Sequence, residues 1–378
     1  MDVRHSRWLG RSLWLVTAVS AVVQMQIART SAVFDWDFAV LWSSGRSLDQ
    51  GHTPWTSGFV YLPGATVITA PFGLMSLRSA RLIMLALTIA LVVGTVAWMC
   101  KAAGYRLDSP AVPILATLAI LFGPTLPELE MENFTIFALP AIAALCILAS
   151  RRQWTGAAIA MALGLTAKPI LIPALLIFVV YRRWRELAAC LLGTAVLSGL
   201  ALLIFGNVAG YAKVASQTFR DDTTLRFSVS LTKILSGYGV PEVIRLALVV
   251  SVLALSALAL LATVRRVTDP LLSATLVATI PMLVVYLLTS FTWVHYLVVL
   301  VPLLTLLALQ GDLFARVIAA SVWILATLPV LVWGANVGRR AELDLMCASM
   351  VVLLGMTTAW VLLFSPVSYK PTRPAVAS

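Results

Sequence analysis

The sequence has few charged residues. Of its 378 residues, 11% are Asp, Glu, Lys or Arg and 61% are hydrophobic, and the mean hydropathy is +0.97. Soluble globular proteins carry about 25% charged residues, and no soluble core can hide this much apolar surface. The composition therefore excludes a soluble protein and predicts a polytopic membrane protein.

Motifs of several other protein classes are also missing. The four cysteines lie within or at the ends of apolar runs, without the spacing of a disulfide framework or a zinc site, so we interpret them as packing residues. There is no internal repeat, no P-loop and no glycine-rich dinucleotide motif. We expect a single integral membrane domain over residues 1–378.

The net charge of +11 has a specific distribution. A basic surplus occurs in nucleic-acid-binding proteins, but here the Lys and Arg residues form short clusters between apolar runs. That pattern is typical of the short cytoplasmic loops of membrane proteins. We therefore expect a lipid bilayer and no nucleic acid as partner. Both termini, residues 1–11 and 365–378, are predicted to be cytoplasmic, with the first apolar run an uncleaved span rather than a signal peptide.

The apolar runs predict an all-α protein with about twelve transmembrane helices. We place the spans at residues 13–28, 81–100, 111–124, 134–150, 156–181 (two crossings), 188–206, 243–264, 271–288, 296–309, 317–333 and 346–364. Residues 156–181 are flanked by basic clusters at both ends, yet they are too few for two full spans at about 1.5 Å per residue. Two half-helices that meet at Lys168-Pro169 fit, and Lys168 should then face a cavity.

The polar residues gather on the face opposite the basic clusters. The first long interruption of the apolar sequence, residues 31–79, holds Asp35, Asp37 and His52 and is the candidate catalytic loop. Three further outer segments, residues 127–133, 207–242 and 290–296, carry acids, cations that include Arg226 and Lys233, and a histidine.

Short motifs in these segments resemble glycosyltransferase family 87. They are Trp36-Asp37-Phe38, Gly51-His52-Thr53-Pro54-Trp55, Phe59-Val60-Tyr61-Leu62-Pro63-Gly64, Ala70-Pro71-Phe72-Gly73, Glu132-Asn133, Ala167-Lys168-Pro169 and Trp293-Val294-His295-Tyr296. The resemblance covers roughly residues 35–309. Within the family it is strongest to members that add α-1,3-linked arabinofuranose branches to arabinan. Leu62-Pro63-Gly64 departs from the usual Tyr-Pro-Pro pattern, and Glu132-Asn133 from a Gln-x-Asn or Asn-x-Asn pattern.

The resemblance implies a GT-C fold, with interfacial helices in the first outer loop. It also implies an inverting transfer of a sugar, arabinofuranose being favoured, from a polyprenyl-phosphate donor to a cell-envelope glycan or glycolipid. The active site would lie on the extracytoplasmic side of the cell membrane. A polyprenyl-phosphate-mannose-dependent mannosyltransferase is the first alternative, and a transporter or lipid flippase is the second.

The chemistry assigns roles to particular residues. An acceptor hydroxyl needs a general base, for which Asp37 is the candidate, with Asp35 assisting; the alternative is that both only cap a helix. The departing phosphate needs cations and donors. We expect these donor-binding groups to be Lys168, His295, Arg226 and Tyr61.

Acceptor binding is predicted for Glu132, Asn133, His52 and Trp293. Glu132 and Asn133 either contact acceptor hydroxyls or belong to a solvated loop, and Trp293 either stacks on a sugar or belongs to an aromatic belt at the membrane interface. We predict no metal site, because the adjacent pair Asp221-Asp222 is a weak signal; no cofactor is certain and a divalent cation stays open.

Overall fold

A computed structural model describes residues 3–31, 36–55, 58–59, 61–218, 228–289, 292–310, 312–333 and 340–363. The described residues are mainly helical and contain no strand, only an isolated antiparallel bridge between Ser228 and Trp293. The all-α prediction is therefore confirmed.

The helices run in chain order as follows. The first nine are α1 (Val3–Thr30), α2 (Trp36–Asp49), α3 (Ala65–Gly73), α4 (Leu77–Ala102), α5 (Ala111–Ile120), α6 (Thr125–Met131), α7 (Thr135–Ser150), α8 (Trp154–Ala167) and, after a 3-10 helix (Pro169–Leu175), α9 (Leu176–Val180). The others are α10 (Trp184–Phe205), α11 (Val208–Thr218), α12 (Leu231–Gly237), α13 (Glu242–Arg266), α14 (Pro270–Leu288), a second 3-10 helix (Val294–Leu300), α15 (Val301–Leu309), α16 (Leu313–Trp333) and α17 (Arg340–Leu363).

Local sequence fixes the starts of the long helices. Ser76 precedes α4 and its hydroxyl accepts a hydrogen bond from the Ser79 N–H at 3.2 Å. Asp269 precedes α14 and accepts from the Leu272 N–H at 2.7 Å, with Pro270 in the first turn. Both arrangements satisfy a backbone donor that the helix itself leaves unpaired.

Six described helices are long and apolar enough to cross a membrane. They are Arg7–Thr30, Leu77–Ala102, Trp184–Phe205, Glu242–Arg266, Pro270–Leu288 and Leu343–Leu363, and the bent pair Ala111–Ile120 and Thr125–Met131 makes a seventh if counted as one span. Other predicted spans correspond to shorter apolar helices, such as Thr135–Ser150 and Trp154–Ala167. The structure thus agrees with a multi-pass membrane protein.

The predicted span 111–124 differs from the structure. Its helix ends at Ile120, and the chain bends by 56° into α6. The outer segment 127–133, which follows, was open to interpretation as a solvated loop. That alternative is wrong, since α6 is a buried helix in which Glu128 and Glu130 have no exposed surface.

The chain folds back on itself at Lys168. Pro169 has no N–H and confines the preceding residue to extended backbone, which ends α8. Trp154, at the start of α8, packs against Tyr181, just after α9, with ring centroids 5.3 Å apart, and the Arg183 guanidinium lies 5.1 Å from the Trp154 ring. The two basic clusters therefore lie together, with Lys168 at the far tip of a hairpin, as the sequence predicts.

Loops that carry basic residues meet at one end of the bundle, which we call the basic end. One cavity there is lined by residues 102–104, 150–151, 269–271 and 309–310. Arg7 reaches Asp108 at 3.7 Å in the same region, because α1 packs against α5. The opposite end, which we call the acidic end, is defined by Asp37, Glu128, Glu130 and Glu132.

Candidate active site

The candidate site lies at the acidic end, where four separate segments of the chain converge. Asp37 belongs to the first turn of α2, and Asn133 lies in the turn between α6 and α7. Lys168 comes from the tip of the hairpin, and His295 from the second 3-10 helix. No two of these segments are neighbours in sequence, so only the tertiary fold creates the site.

The neutral amide of Asn133 links the carboxylate of Asp37 to the ammonium group of Lys168. Its amide nitrogen donates to Asp37 Oδ2 at 2.5 Å, and its amide oxygen accepts from Lys168 Nζ at 2.9 Å. The same oxygen accepts from the N–H and the hydroxyl of Thr135, both at 2.9 Å, which fixes the orientation of the amide. Asp37 is therefore held by a side chain of another segment, and the helix-capping interpretation is not needed to explain its contacts.

Lys168 is buried under aromatic rings. Its ammonium nitrogen lies 4.5 Å from the ring centroid of Tyr61 and 5.1 Å from that of Tyr296. Both distances are within the range of a cation–π interaction, which partly compensates the cation for its lost hydration. Tyr61 is itself held in place, because its carbonyl accepts from the Tyr211 hydroxyl at 3.2 Å.

The segment with His295 joins the group through Tyr296, which contacts Lys168. The ring of Tyr296 contacts that of His295, with centroids 4.8 Å apart, and Trp293 lies 5.5 Å from His295. His295 is buried, and among the described residues its Nε2 has no hydrogen-bond partner. The Val229 N–H donates to the Thr292 carbonyl at 2.7 Å, so the segment after residue 227 lies against this one.

Helix α6 and its end bring three acids to the site. Glu128 Oε1 accepts from the Ile136 N–H at 2.8 Å, which anchors the start of α7. Glu132 ends α6 in the left-handed region, with φ of 50°, a conformation that is uncommon for a residue other than glycine. It is fully buried, and among the described residues both its carboxylate oxygens have no hydrogen-bond partner. Such a strained, unsatisfied acid is a feature of binding sites.

Burial sets the protonation of the two acids that lie outside the membrane-spanning helices. It raises the pKa of Asp37 above its ordinary value, while the Lys168 charge and the Asn133 hydrogen bond act to lower that pKa. Burial raises the pKa of Glu132 to about 8, against a smaller opposing effect of Arg81. Lys168 and Asn133 thus favour the ionised form of Asp37 that a general base requires.

The structure brings some of the predicted site residues together and leaves others apart. Asp37, Asn133, Lys168, Tyr61, His295 and Trp293 lie in the one connected group, and Glu132 adjoins Asn133 in the chain. His52 follows the other end of α2 in an exposed turn, on the order of 20 Å of helix away from Asp37. Asp35, Arg226, Asp221 and Asp222 lie outside the described residues.

Two members of this arrangement, Glu128 and Tyr296, are not singled out by the sequence. Glu128 lies within the outer segment 127–133, and Tyr296 within the motif Trp293-Val294-His295-Tyr296. Glu128 lies shortly before Glu132 and Asn133, and Tyr296 directly follows His295. Proximity in sequence to predicted site residues was therefore the available signal. Within the described residues there is no group of three or more His, Cys, Asp or Glu suited to a metal ion.

In this arrangement the amide of Asn133 connects the carboxylate of Asp37 with the buried cation of Lys168. Among the described residues, Asp37 Oδ1 has no hydrogen-bond partner, so it can accept a proton from a bound hydroxyl. Lys168 and His295 can stabilise a departing anion. A general base beside an anion-binding site suits a transferase, because the base can deprotonate an acceptor and the anion site can stabilise the leaving group.

Comparison with known proteins identifies the family of the chain. The model of glycosyltransferase family 87 matches residues 59–290, and the chain belongs to that family. It is a membrane glycosyltransferase, which sets the transporter and flippase alternatives aside.

Relatives refine the class. The chain is 24% identical to the α-(1→3)-arabinofuranosyltransferase of Corynebacterium glutamicum over 338 residues, which cover 85% of this chain and 79% of the relative. It is 25% identical to the enzymes of that name from two strains of Mycobacterium tuberculosis over 205 residues, 51% of this chain and 47% of each relative. No solved structure matches the chain. The predicted likeness to arabinofuranosyltransferases is confirmed.

Proposed function

We propose that the protein transfers arabinofuranose from a polyprenyl-phosphate donor to a cell-envelope glycan or glycolipid, with inversion at the anomeric carbon. Asp37 takes the proton of the acceptor hydroxyl while its oxygen attacks the anomeric carbon. The bond between that carbon and the phosphate oxygen breaks, and polyprenyl phosphate leaves with the bonding electrons. One observation carries the proposal: Asn133 holds Asp37 and Lys168 together through hydrogen bonds of 2.5 and 2.9 Å.

Lys168 and His295 are the proposed contacts of the donor phosphate. Tyr296 contacts both Lys168 and His295, which supports a phosphate site between these two residues. A phosphate between them would give the unpaired Nε2 of His295 a hydrogen-bond partner. We expect Lys168→Ala and His295→Ala each to weaken donor use, as seen in donor KM and kcat; unchanged values in both variants contradict this assignment.

The acceptor side is proposed to include Glu132 and Trp293. The buried oxygens of Glu132 lack partners in the described structure and suit sugar hydroxyls. Asn133, predicted as an acceptor contact, is committed to Asp37 and Lys168 and is better described as a positioning residue. Trp293 is half-buried beside His295, and its ring offers a stacking surface.

The full topology is also part of the proposal. We infer a GT-C fold with about twelve crossings, in which the short helices α7, α8, α9 and α15 cross within the protein interior. The acidic end then lies on the extracytoplasmic side of the cell membrane, and the basic end lies in the cytoplasm, since Lys and Arg in short loops mark the cytoplasmic face.

The donor is tested by offering both sugars. Membranes that contain the wild-type chain are given radiolabelled polyprenyl-phosphate arabinofuranose or polyprenyl-phosphate mannose, and the linkage of the product is determined. We expect transfer of arabinofuranose to an arabinan acceptor. Transfer of mannose alone would support the mannosyltransferase alternative, and transfer of neither sugar would contradict the proposed donor class.

A further inference from the structure

A second concave feature lies away from the candidate active site, between α5, α15 and α16. It is a groove of about 320 Å³ whose walls are apolar except for Thr305 and Arg316. Ala320 and Ile324 on α16 are exposed along it, so the groove opens to the surroundings of the bundle. A groove of this composition in membrane-embedded helices suits a hydrocarbon chain rather than a polar solute.

The far end of the groove is closed. At Gly123 the helices touch, because a Cβ atom placed there would lie 1.8 Å from the carbonyl oxygen of Ala326. The Gly123 N–H also donates to the Thr327 hydroxyl at 3.1 Å, and Trp323 donates to the Leu118 carbonyl at 2.8 Å. A chain that enters the groove therefore ends at this crossing.

The near end carries a positive charge. Arg316 is exposed at the basic end, where its Nε donates to the Gln310 carbonyl at 2.7 Å. The described structure gives its two terminal nitrogens no hydrogen-bond partner. One nitrogen thus anchors the guanidinium, while the others are available to an anion at the mouth of the groove.

The length of the groove matches one leaflet. Ten residues of α16 separate Arg316 from Ala326, which is about 15 Å of helix. The hydrocarbon core of a bilayer is about 30 Å thick, so each leaflet contributes about 15 Å. A single acyl chain whose headgroup lies beside Arg316 would reach the crossing at Gly123.

We propose that this groove binds one acyl chain of an anionic glycerophospholipid from the leaflet at the basic end, with the lipid phosphate on Arg316. The polyprenyl donor does not fit, since its phosphate is assigned to the acidic end and the Gly123 crossing closes the groove on that side. The proposal stands independently of the identity of the transferred sugar.

The test is native mass spectrometry of the full-length protein with an equal mixture of phosphatidylglycerol and phosphatidylcholine that have identical acyl chains. We expect the wild type to retain one phosphatidylglycerol at collision energies that remove other lipids. Arg316→Gln should lower the ratio of retained phosphatidylglycerol to phosphatidylcholine to that of the mixture. Ala320→Phe fills the groove and should remove the retained lipid of either kind.

Matched controls lie on α13. Arg265→Gln removes another exposed arginine of the basic end, and Ala257→Phe enlarges another exposed alanine; neither lines the groove, and both should behave as the wild type. Retention of phosphatidylglycerol in Ala320→Phe, or an unchanged lipid preference in Arg316→Gln, overturns the proposal. Detergent melting temperatures of all four variants show whether a lost lipid reflects the groove or a loss of fold, and a lipid lost only on unfolding also contradicts the assignment.

Discussion

At the scale of single residues, the proposed base depends on both Asp37 and Asn133. Asp37 provides the carboxylate, and Asn133 fixes it beside Lys168. Burial raises the pKa of that carboxylate, whereas the Lys168 charge and the Asn133 amide act to lower it, so these two residues favour the ionised form of Asp37.

The first prediction concerns the carboxylate itself. Asp37→Asn keeps the size of the side chain but removes its basicity, so kcat should fall by roughly 10²-fold or more. The melting temperature in detergent should change little. Asp49→Asn, in the exposed last turn of the same helix, is the matched control and should stay active. A fully active Asp37→Asn enzyme would shift the assignment to Asp35.

The second prediction concerns the positioning amide. Asn133→Ala removes the hydrogen bond that lowers the pKa of Asp37, so this pKa rises. Because a general base acts in its ionised form, the low-pH limb of the kcat profile should move to higher pH, and kcat on that limb should fall. Thr135→Val, which loses one contact with Asn133 but leaves that to Asp37, is the control. A lowered kcat with an unmoved pH profile would indicate a merely structural role for Asn133.

At the scale of secondary-structure elements, breaks in helices build the site. Lys168 reaches it because Pro169 ends α8 and turns the chain back toward Trp154. The bend between α5 and α6 likewise turns the three glutamates of that segment inward. Backbone that leaves a helix at this depth must be enclosed by protein, and both breaks are packed on neighbouring helices.

The third prediction tests the close crossing at the α5–α6 bend. Gly123→Ala places a methyl group against the Ala326 carbonyl, so the helices must separate. Overpacking of this kind costs about 1–3 kcal/mol, and the melting temperature should fall. Gly94→Ala is the matched control, because nothing lies within 4 Å of a Cβ there and alanine favours its helix. Equal stability of the two variants would contradict the crossing.

At the scale of the whole molecule, the two ends of the bundle differ in the charged clusters they carry. The hairpin contact of Trp154 with Tyr181 brings two arginine clusters to the basic end. The described acids Asp37, Glu128, Glu130 and Glu132 lie at the other end. The proposed topology assigns the acidic end to the extracytoplasmic side.

The fourth prediction is a labelling experiment on that polarity. In a background from which the four buried native cysteines are removed, Arg151→Cys and Arg183→Cys should react with an impermeant thiol reagent from one side of the membrane. Ser47→Cys, on helix α2, should react from the other. Labelling of residues 151 and 183 from opposite sides would contradict the hairpin, and labelling of 47 and 151 from the same side would contradict the proposed topology.

The sequence alone determined the membrane class, the helical fold, the break at Lys168-Pro169 and the family. It could do so because hydropathy, proline and the basic clusters act locally. Two local inferences failed for the same reason: residues 127–133 are polar in sequence but buried in the fold, and the apolar run 111–124 does not continue as one helix past Ile120.

Only the tertiary structure decided which polar residues act together. The site residues lie far apart in the chain, with 258 positions between the first and the last: Asp37, Asn133, Lys168 and His295. No sequence pattern specifies that the amide of Asn133 lies between Asp37 and Lys168, because this depends on how α2, α7 and the hairpin pack. The same packing leaves His52 at the far end of α2, although both residues belong to one predicted loop. Long-range packing therefore selects the site from candidates that local sequence can only propose.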